Sequence, residues 1–219
     1  TNPALAAPAA NLGRLLQTLG RVDEAARVFS GALARGLDAG LFGHLLDAAS
    51  GHRSARAPVS YVRETFDAFA AEFEQRLVGE LKYEVPSKLA ALVLRNHGRV
   101  QRPRLDILDL GCGTGLAGIA LGATAGLLVG VDLSPKMLVE ARRKGCYTDL
   151  HEADILEWLV AAPHDRFDLV IAADVFIYVG DLERVFHEVA RVLRINGKFA
   201  FSVETCMEAP WRLLPTGRY

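Results

Sequence analysis

Asp109-Leu110-Gly111-Cys112-Gly113-Thr114-Gly115 follows directly on Leu105-Asp106-Ile107-Leu108 and is the stretch best equipped for chemistry. Three glycines at alternate positions after a strand let the main chain take positive φ and come against a ligand with no Cβ in the way. The spacing is GxGxG, whereas the dinucleotide pattern GxGxxG would need a glycine where Leu116 stands. Asp109 also disfavours a phosphate ligand, because its carboxylate would repel a pyrophosphate. Together these residues suit a ligand with a positive end, an ammonium or a sulfonium group. Three more acids, Asp132, Asp154 and Asp174, recur at the ends of later apolar stretches. Taken singly, each also reads as a helix N-cap or turn residue, Asp154 before Ile155 most plainly.

Taken in order, these stretches resemble the motifs of class I S-adenosylmethionine-dependent methyltransferases, from about Tyr83 to Glu204. The first motif is Leu108–Gly115, the second Val129-Gly130-Val131-Asp132-Leu133-Ser134-Pro135-Lys136-Met137-Leu138, and the third Glu152-Ala153-Asp154-Ile155. The fourth is Phe167–Asp174, and the fifth is Leu193-Arg194-Ile195-Asn196-Gly197-Lys198. In the fifth, Ile195 and Asn196 depart from the family's Leu-x-Pro-Gly-Gly, which alters a turn. The resemblance implies S-adenosylmethionine as cofactor and S-adenosylhomocysteine as product. Gly111, Cys112 and Gly113 would meet its methionine portion, with Asp109 near the ammonium and Ala173 beside the sulfonium. Asp132 would accept from the ribose hydroxyls, and Asp154 from the adenine amino group while the Ile155 N–H donates to a ring nitrogen. Leu133 and Met137 would pack on the adenine faces.

The family's tyrosine ahead of the first strand is Phe73 here, so that hydroxyl is lost; Tyr83 could supply one instead. Asp174 and Tyr178 would lie on the acceptor side, Asp174 as a base, an acceptor-orienting group or a loop cap, and Tyr178 as a wall or hydrogen bond. Glu204 and Arg218 would belong to the substrate side as well. Phe66-Asp67-Ala68-Phe69-Ala70-x-x-Phe73-Glu74 with Leu81-Lys82-Tyr83 is similar to bacterial methyltransferases that carry tetratricopeptide repeats.

The elements that must position these residues alternate regularly. Strands are expected at 105–110, 127–131, 147–150, 167–172 and 198–203, with helices at 116–123, 136–143, 155–161 and 182–192 between them. Runs such as Leu169-Val170-Ile171 lack alternation, as parallel strands buried on both faces do. The fold class is therefore α/β, a doubly wound, mainly parallel Rossmann-like sheet with an N-terminal helical extension. In that extension, residues 9–37 carry tetratricopeptide-like spacing: small residues at Gly13, Ala25 and Ala32, a turn at Gly20, and Leu16 and Phe29 in the seam. One and a half repeats do not make a solenoid, so the hairpin packs on the enzyme domain or a partner chain, or offers a peptide groove. Phe66, Phe69, Ala70, Phe73 and Leu77 mark one helix over 61–81. The divisions expected are 1–57 helical, 58–95 a helical cap and lead-in helix, and 96–219 the cofactor-binding domain. The family adds two strands beyond this point, so a C-terminus truncated or completed by another molecule is expected, and the missing initiator methionine suggests a trimmed start.

The bulk numbers exclude more than they assign. Lys and Arg number 25 against 26 Asp and Glu, which gives no basic field for nucleic acid or anionic lipid. No run is long enough for a membrane span. Cysteines at 112, 146 and 206 make neither a C-x-x-C pair nor an even framework, as in reduced cytoplasmic proteins, and no metal set is expected. Ala172-Ala173-Asp174-Val175 is not the [DN]-P-P-[YFW] tetrad of amino-group methylases, and no Pro-Cys nucleophile is present. The expected activity is methylation of a small molecule at O, N, S or C. The alternative is a catalytically weak cofactor-binding scaffold whose helices recruit a protein partner.

Overall fold

The computed structural model describes residues 3–52, 54–80, 82–96, 104–205 and 212–219. Arg53, Leu81, His97 and Cys206 lie outside them. Contacts group the chain into two units, one of Thr1–Val62, Ile177–Asp181 and Glu204–Tyr219, the other of Arg63–Phe176 and Leu182–Val203. Divisions at residues 57 and 95 follow chain order; this grouping does not. Backbone bonds within the first unit account for it. Ala57 N–H donates to the Tyr178 carbonyl at 2.9 Å, Gly180 N–H to that of Ala55 at 2.9 Å, and Tyr219 N–H to that of Ile177 at 2.8 Å.

The first unit is built on α1 (Pro3–Thr18), α2 (Val22–Ala34) and α3 (Ala39–Ser50). Gly20 turns α1 into α2 at φ 74°. A Cβ on Gly13 would fall 2.0 Å from Phe29 Cε1, so only glycine admits that ring between the helices. Ala25, Phe29, Ala32, Phe42 and Leu45 are wholly buried there. Asp38 caps α3 by accepting from Leu41 N–H at 2.8 Å.

The second unit begins within α4 (Val59–Phe69). The helix expected over 61–81 breaks at 70–72 and resumes as a π-helical turn over Gln75–Glu80. Glu72 N–H donates to the Phe69 carbonyl, three residues back, so the ladder tightens and stops. Then follow α5 (Val85–Asn96), β1 (Leu105–Leu110), α6 (Leu116–Leu121), β2 (Ala125–Asp132), α7 (Pro135–Arg143), β3 (Asp149–Glu152), α8 (Ile155–Ala161), β4 (Phe167–Ala172), α9 (Glu183–Val192) and β5 (Leu193–Phe201).

All five strands run parallel in the order β3-β2-β1-β4-β5. The order reverses between β1 and β4, whose Asp109 and Ile171 pair. In such sheets ligands sit beyond the carboxyl ends of the strands at that reversal. Leu105, Ile107, Ala125, Leu128, Leu169 and Ile171 form the sheet's share of one buried core cluster. β3 starts two residues later than the expected 147, because Thr148 Oγ1 accepts from Leu128 N–H before regular pairing begins. β5 pairs from Leu193 but slips register before Lys198, with Asn196 at φ 66° in the slip. There the departure from the family's fifth motif is absorbed as a bulge.

Candidate cofactor site

The turn out of β1 runs through Gly111, Gly113 and Gly115 at φ 62°, 53° and 90°. Side chains other than glycine rarely take that conformation. A Cβ on Gly111 would stand 2.4 Å from Val175 Cγ2, whereas one on Gly113 would meet nothing within 4 Å. Bare main chain therefore faces open space at Gly113. Two bonds tie the turn to β2: Cys112 N–H donates to the Val131 carbonyl at 3.1 Å, and Gly113 N–H to Asp132 Oδ2 at 2.8 Å.

Asp109 is 1% exposed, and Tyr147 donates its hydroxyl to Oδ2 at 2.6 Å. Among the described residues no lysine or arginine pairs with it. Burial pushes its carboxyl up to about 7, the Tyr147 hydroxyl works against that, and the Asp132 charge adds to it. A buried carboxylate without a cation is a fit for a ligand's ammonium group. Asp132 ends β2 with Oδ1 accepting from Ser134 N–H at 2.8 Å. Burial pushes that carboxyl up too, opposed by the N–H groups of Ser134, Gly113 and Leu133. The Cys112 thiol is raised well above its usual range by burial, so it stays protonated.

Phe73, Tyr83 and Pro86 line one crevice together with Asp109, Gly111, Gly113 and Ala173. Asp132, Leu133, Met137, Asp154 and Ile155 are not part of that lining. Met137 is wholly buried in α7, and Asp154 caps α8, accepting from Leu156 and Glu157 N–H at 3.0 and 3.2 Å. Asp174 stands at φ 55°, an uncommon conformation for a non-glycine residue. Its N–H donates to Ser202 Oγ at 2.7 Å and its Oδ1 accepts from that hydroxyl at 2.5 Å. Tyr83 also hydrogen-bonds to Asp174, and burial keeps its phenol far above the ordinary range, hence a donor. Tyr178, Glu204 and Arg218 belong to the other unit. There the Tyr178 ring lies 6.5 Å from that of Tyr61, burial pushes its phenol up to about 12, and Glu204 pairs with Arg218.

Three residues at the site, Arg63, Tyr147 and Ser202, carried no motif, and a fourth, Asp67, stood in the Phe66–Glu74 stretch with no role assigned. Arg63 donates to the Leu133 carbonyl at 3.1 Å and pairs with Glu152 at 3.2 Å, and Asp67 accepts from the Ser134 hydroxyl at 2.5 Å. They tie the segment after residue 62 to the loop that follows β2. Tyr147 and Ser202 orient Asp109 and Asp174 from 38 and 28 residues away.

Residues 108–201 match the family model described as a methyltransferase domain. The chain is 32% identical over 149 residues to a malonyl-[acyl-carrier protein] O-methyltransferase of Legionella pneumophila, covering 64% of this chain and 49% of that protein. It is 33% identical over 101 residues to a ubiquinone biosynthesis O-methyltransferase of Aromatoleum aromaticum, covering 44% and 42%. The chain thus spans about half the length of the curated relatives it matches. Among solved structures, the DhpI–SAH complex superposes with a TM-score of 0.52 at 25% identity, covering 65% of this chain and 67% of that one. With the parallel sheet and its glycine turn already in view, residues 108–201 match a methyltransferase domain, and the fold they form is shared with a structure solved as an SAH complex.

Proposed function

We propose that this chain methylates a small molecule at O, N, S or C, binding S-adenosylmethionine where β1 and β4 diverge. The observation that carries this is the buried Asp109, paired with no cation among the described residues, beside the bare Gly113 main chain. The cofactor supplies a methyl group already activated on a sulfonium. Asp109 pairs with its ammonium, Gly111 and Gly113 admit its methionine portion, and Asp132 receives the ribose hydroxyls. Asp174, oriented by Tyr83 and Ser202, positions the acceptor or takes its proton. Titration calorimetry with S-adenosylhomocysteine tests the pocket. Asp132→Ala is expected to weaken binding at least about tenfold, the worth of one charge-assisted bond. Equal heats from both proteins would remove the assignment.

A second reading is favoured by α1, where Leu5, Leu12 and Leu15 are each half exposed or more at the spacing of one helical face, with Leu19 exposed just beyond it. In it, tetratricopeptide-like helices recruit a protein and catalysis is weak. A methyl-transfer screen over small acceptors separates the two, since turnover belongs only to the first.

A further inference from the structure

We propose that Tyr147 is a positioning residue for the cofactor, its phenol keeping the Asp109 carboxylate ionised and turned toward the ligand's ammonium group. The inference rests on the pocket reading above and extends it to a residue outside every motif.

The ring has a purpose-shaped seat. A Cβ on Gly118 would fall 2.5 Å from Tyr147 Cζ, one on Gly130 2.9 Å from Cε1, and one on Gly115 2.9 Å from Cε2. Those glycines come from α6, from β2 and from the turn after β1. Gly130 is paired with Asp109 across the β1–β2 ladder, so a ring lying on Gly130 has its hydroxyl at the carboxylate. The hydroxyl donates to Oδ2 at 2.6 Å, which leaves Oδ1 for a ligand.

The surroundings make that one donor decisive. Among the described residues, the ionisable groups that act on Asp109 or feel its charge are Asp132 at the end of β2, Cys112 in the turn, Cys146 and Tyr147 before β3, and Tyr83 before α5. None is a cation. Burial alone drives the carboxyl toward its neutral form, which cannot pair with an ammonium. A phenol bonded to the ionised form opposes this. The Tyr147 phenol is itself pushed far above its ordinary range by burial, so it remains a donor wherever Asp109 titrates.

Tyr147→Phe keeps the ring and removes the donor. Two readouts apply: S-adenosylhomocysteine affinity by calorimetry from pH 5.5 to 8.5, and carbon-13 NMR titration of the Asp109 carboxyl in the free protein. The expected result is an Asp109 midpoint raised by about one pH unit, with affinity about fivefold weaker at pH 7, approaching tenfold weaker at pH 5.5 and converging on the parent near pH 8.5. Gly118→Ala, which crowds the same ring, is expected to give the same signature should the phenylalanine variant fold poorly. An unshifted midpoint, or a loss of affinity equal at every pH, would overturn the proposal while leaving the pocket intact. Failure of the parent protein to bind at any pH would overturn the pocket reading and this proposal together.

Discussion

Asp109 is built for binding at the expense of stability. Its carboxyl rises from the ordinary 3.8 to about 7 on folding. A carboxyl raised in the folded state contributes stability that is complete below the unfolded value and is lost as pH climbs through the folded one. The ligand-free protein therefore weakens between about pH 4 and pH 7 on account of this group, by as much as about 4 kcal/mol at roughly 1.4 kcal/mol per pH unit. Asp132 is displaced in the same direction and adds to the trend. Asp109→Asn stays neutral throughout, so its urea midpoint is expected to change less between pH 5 and pH 8 than the parent's. At pH 8 it should be the more stable protein, and it should have lost S-adenosylhomocysteine binding. Equal pH slopes for the two would mean that Asp109 is ionised at no cost in the fold. Such an exchange of stability for function is common where a buried charge awaits its partner.

Strands and helices of the sheet were legible because parallel strands announce themselves as short apolar runs, and β1 and β4 fall where their residues predict. What escaped was set by partners far along the chain. Nothing near Tyr147 in sequence marks it, since its seat is divided among Gly115, Gly118 and Gly130. Likewise the Phe66–Phe73 stripe has helical spacing, yet the break at 70–72 comes from a backbone bond that spacing does not encode. Arg194 shows the same limit. It sits in the fifth motif as an unremarked x, but its guanidinium bridges Asp168 and Asp106 at 2.8 Å each, and Asp106 N–H donates to Asp168 Oδ2 at 2.9 Å. One side chain thus fastens β5 to β4 and β1 where β1 and β4 begin. All three side chains are a quarter exposed or less. Arg194→Met leaves two neighbouring carboxylates facing each other and is expected to cost about 2 kcal/mol in urea unfolding, charged bonds being worth more than neutral ones but screened here by water. Adding Asp106→Asn and Asp168→Asn should recover most of it. A cost under about 0.5 kcal/mol for Arg194→Met would reduce the bridge to an exposed ion pair.

More than one core stabilises the molecule. Phe29, Phe42 and Leu45 anchor a cluster among the N-terminal helices, and Ile107, Leu128, Leu169 and Ile171 anchor another at the sheet. The chain passes between the two units at 62–63, 176–177, 181–182 and 203–204. No motif marked this exchange, because 177–181 joins residues 55 and 57, and Tyr219 joins Ile177, through backbone bonds, which leave no residue-type signature. All residues proposed to hold the cofactor lie in the sheet unit. Units with separate cores unfold as separate transitions when their stabilities differ. Gly13→Ala distinguishes them. In an open helix that change gains about 1 kcal/mol, but here the new methyl would overlap the Phe29 ring at 2.0 Å, and overpacking of that kind costs about 1–3 kcal/mol or more. Calorimetry of the variant is expected to lower one transition and leave the other in place. S-adenosylhomocysteine should raise only the transition that Gly13→Ala leaves unmoved, because a ligand stabilises the unit that binds it. A single transition, lowered by the variant and raised by the ligand, would instead mean that the helices and the sheet fold as one cooperative body.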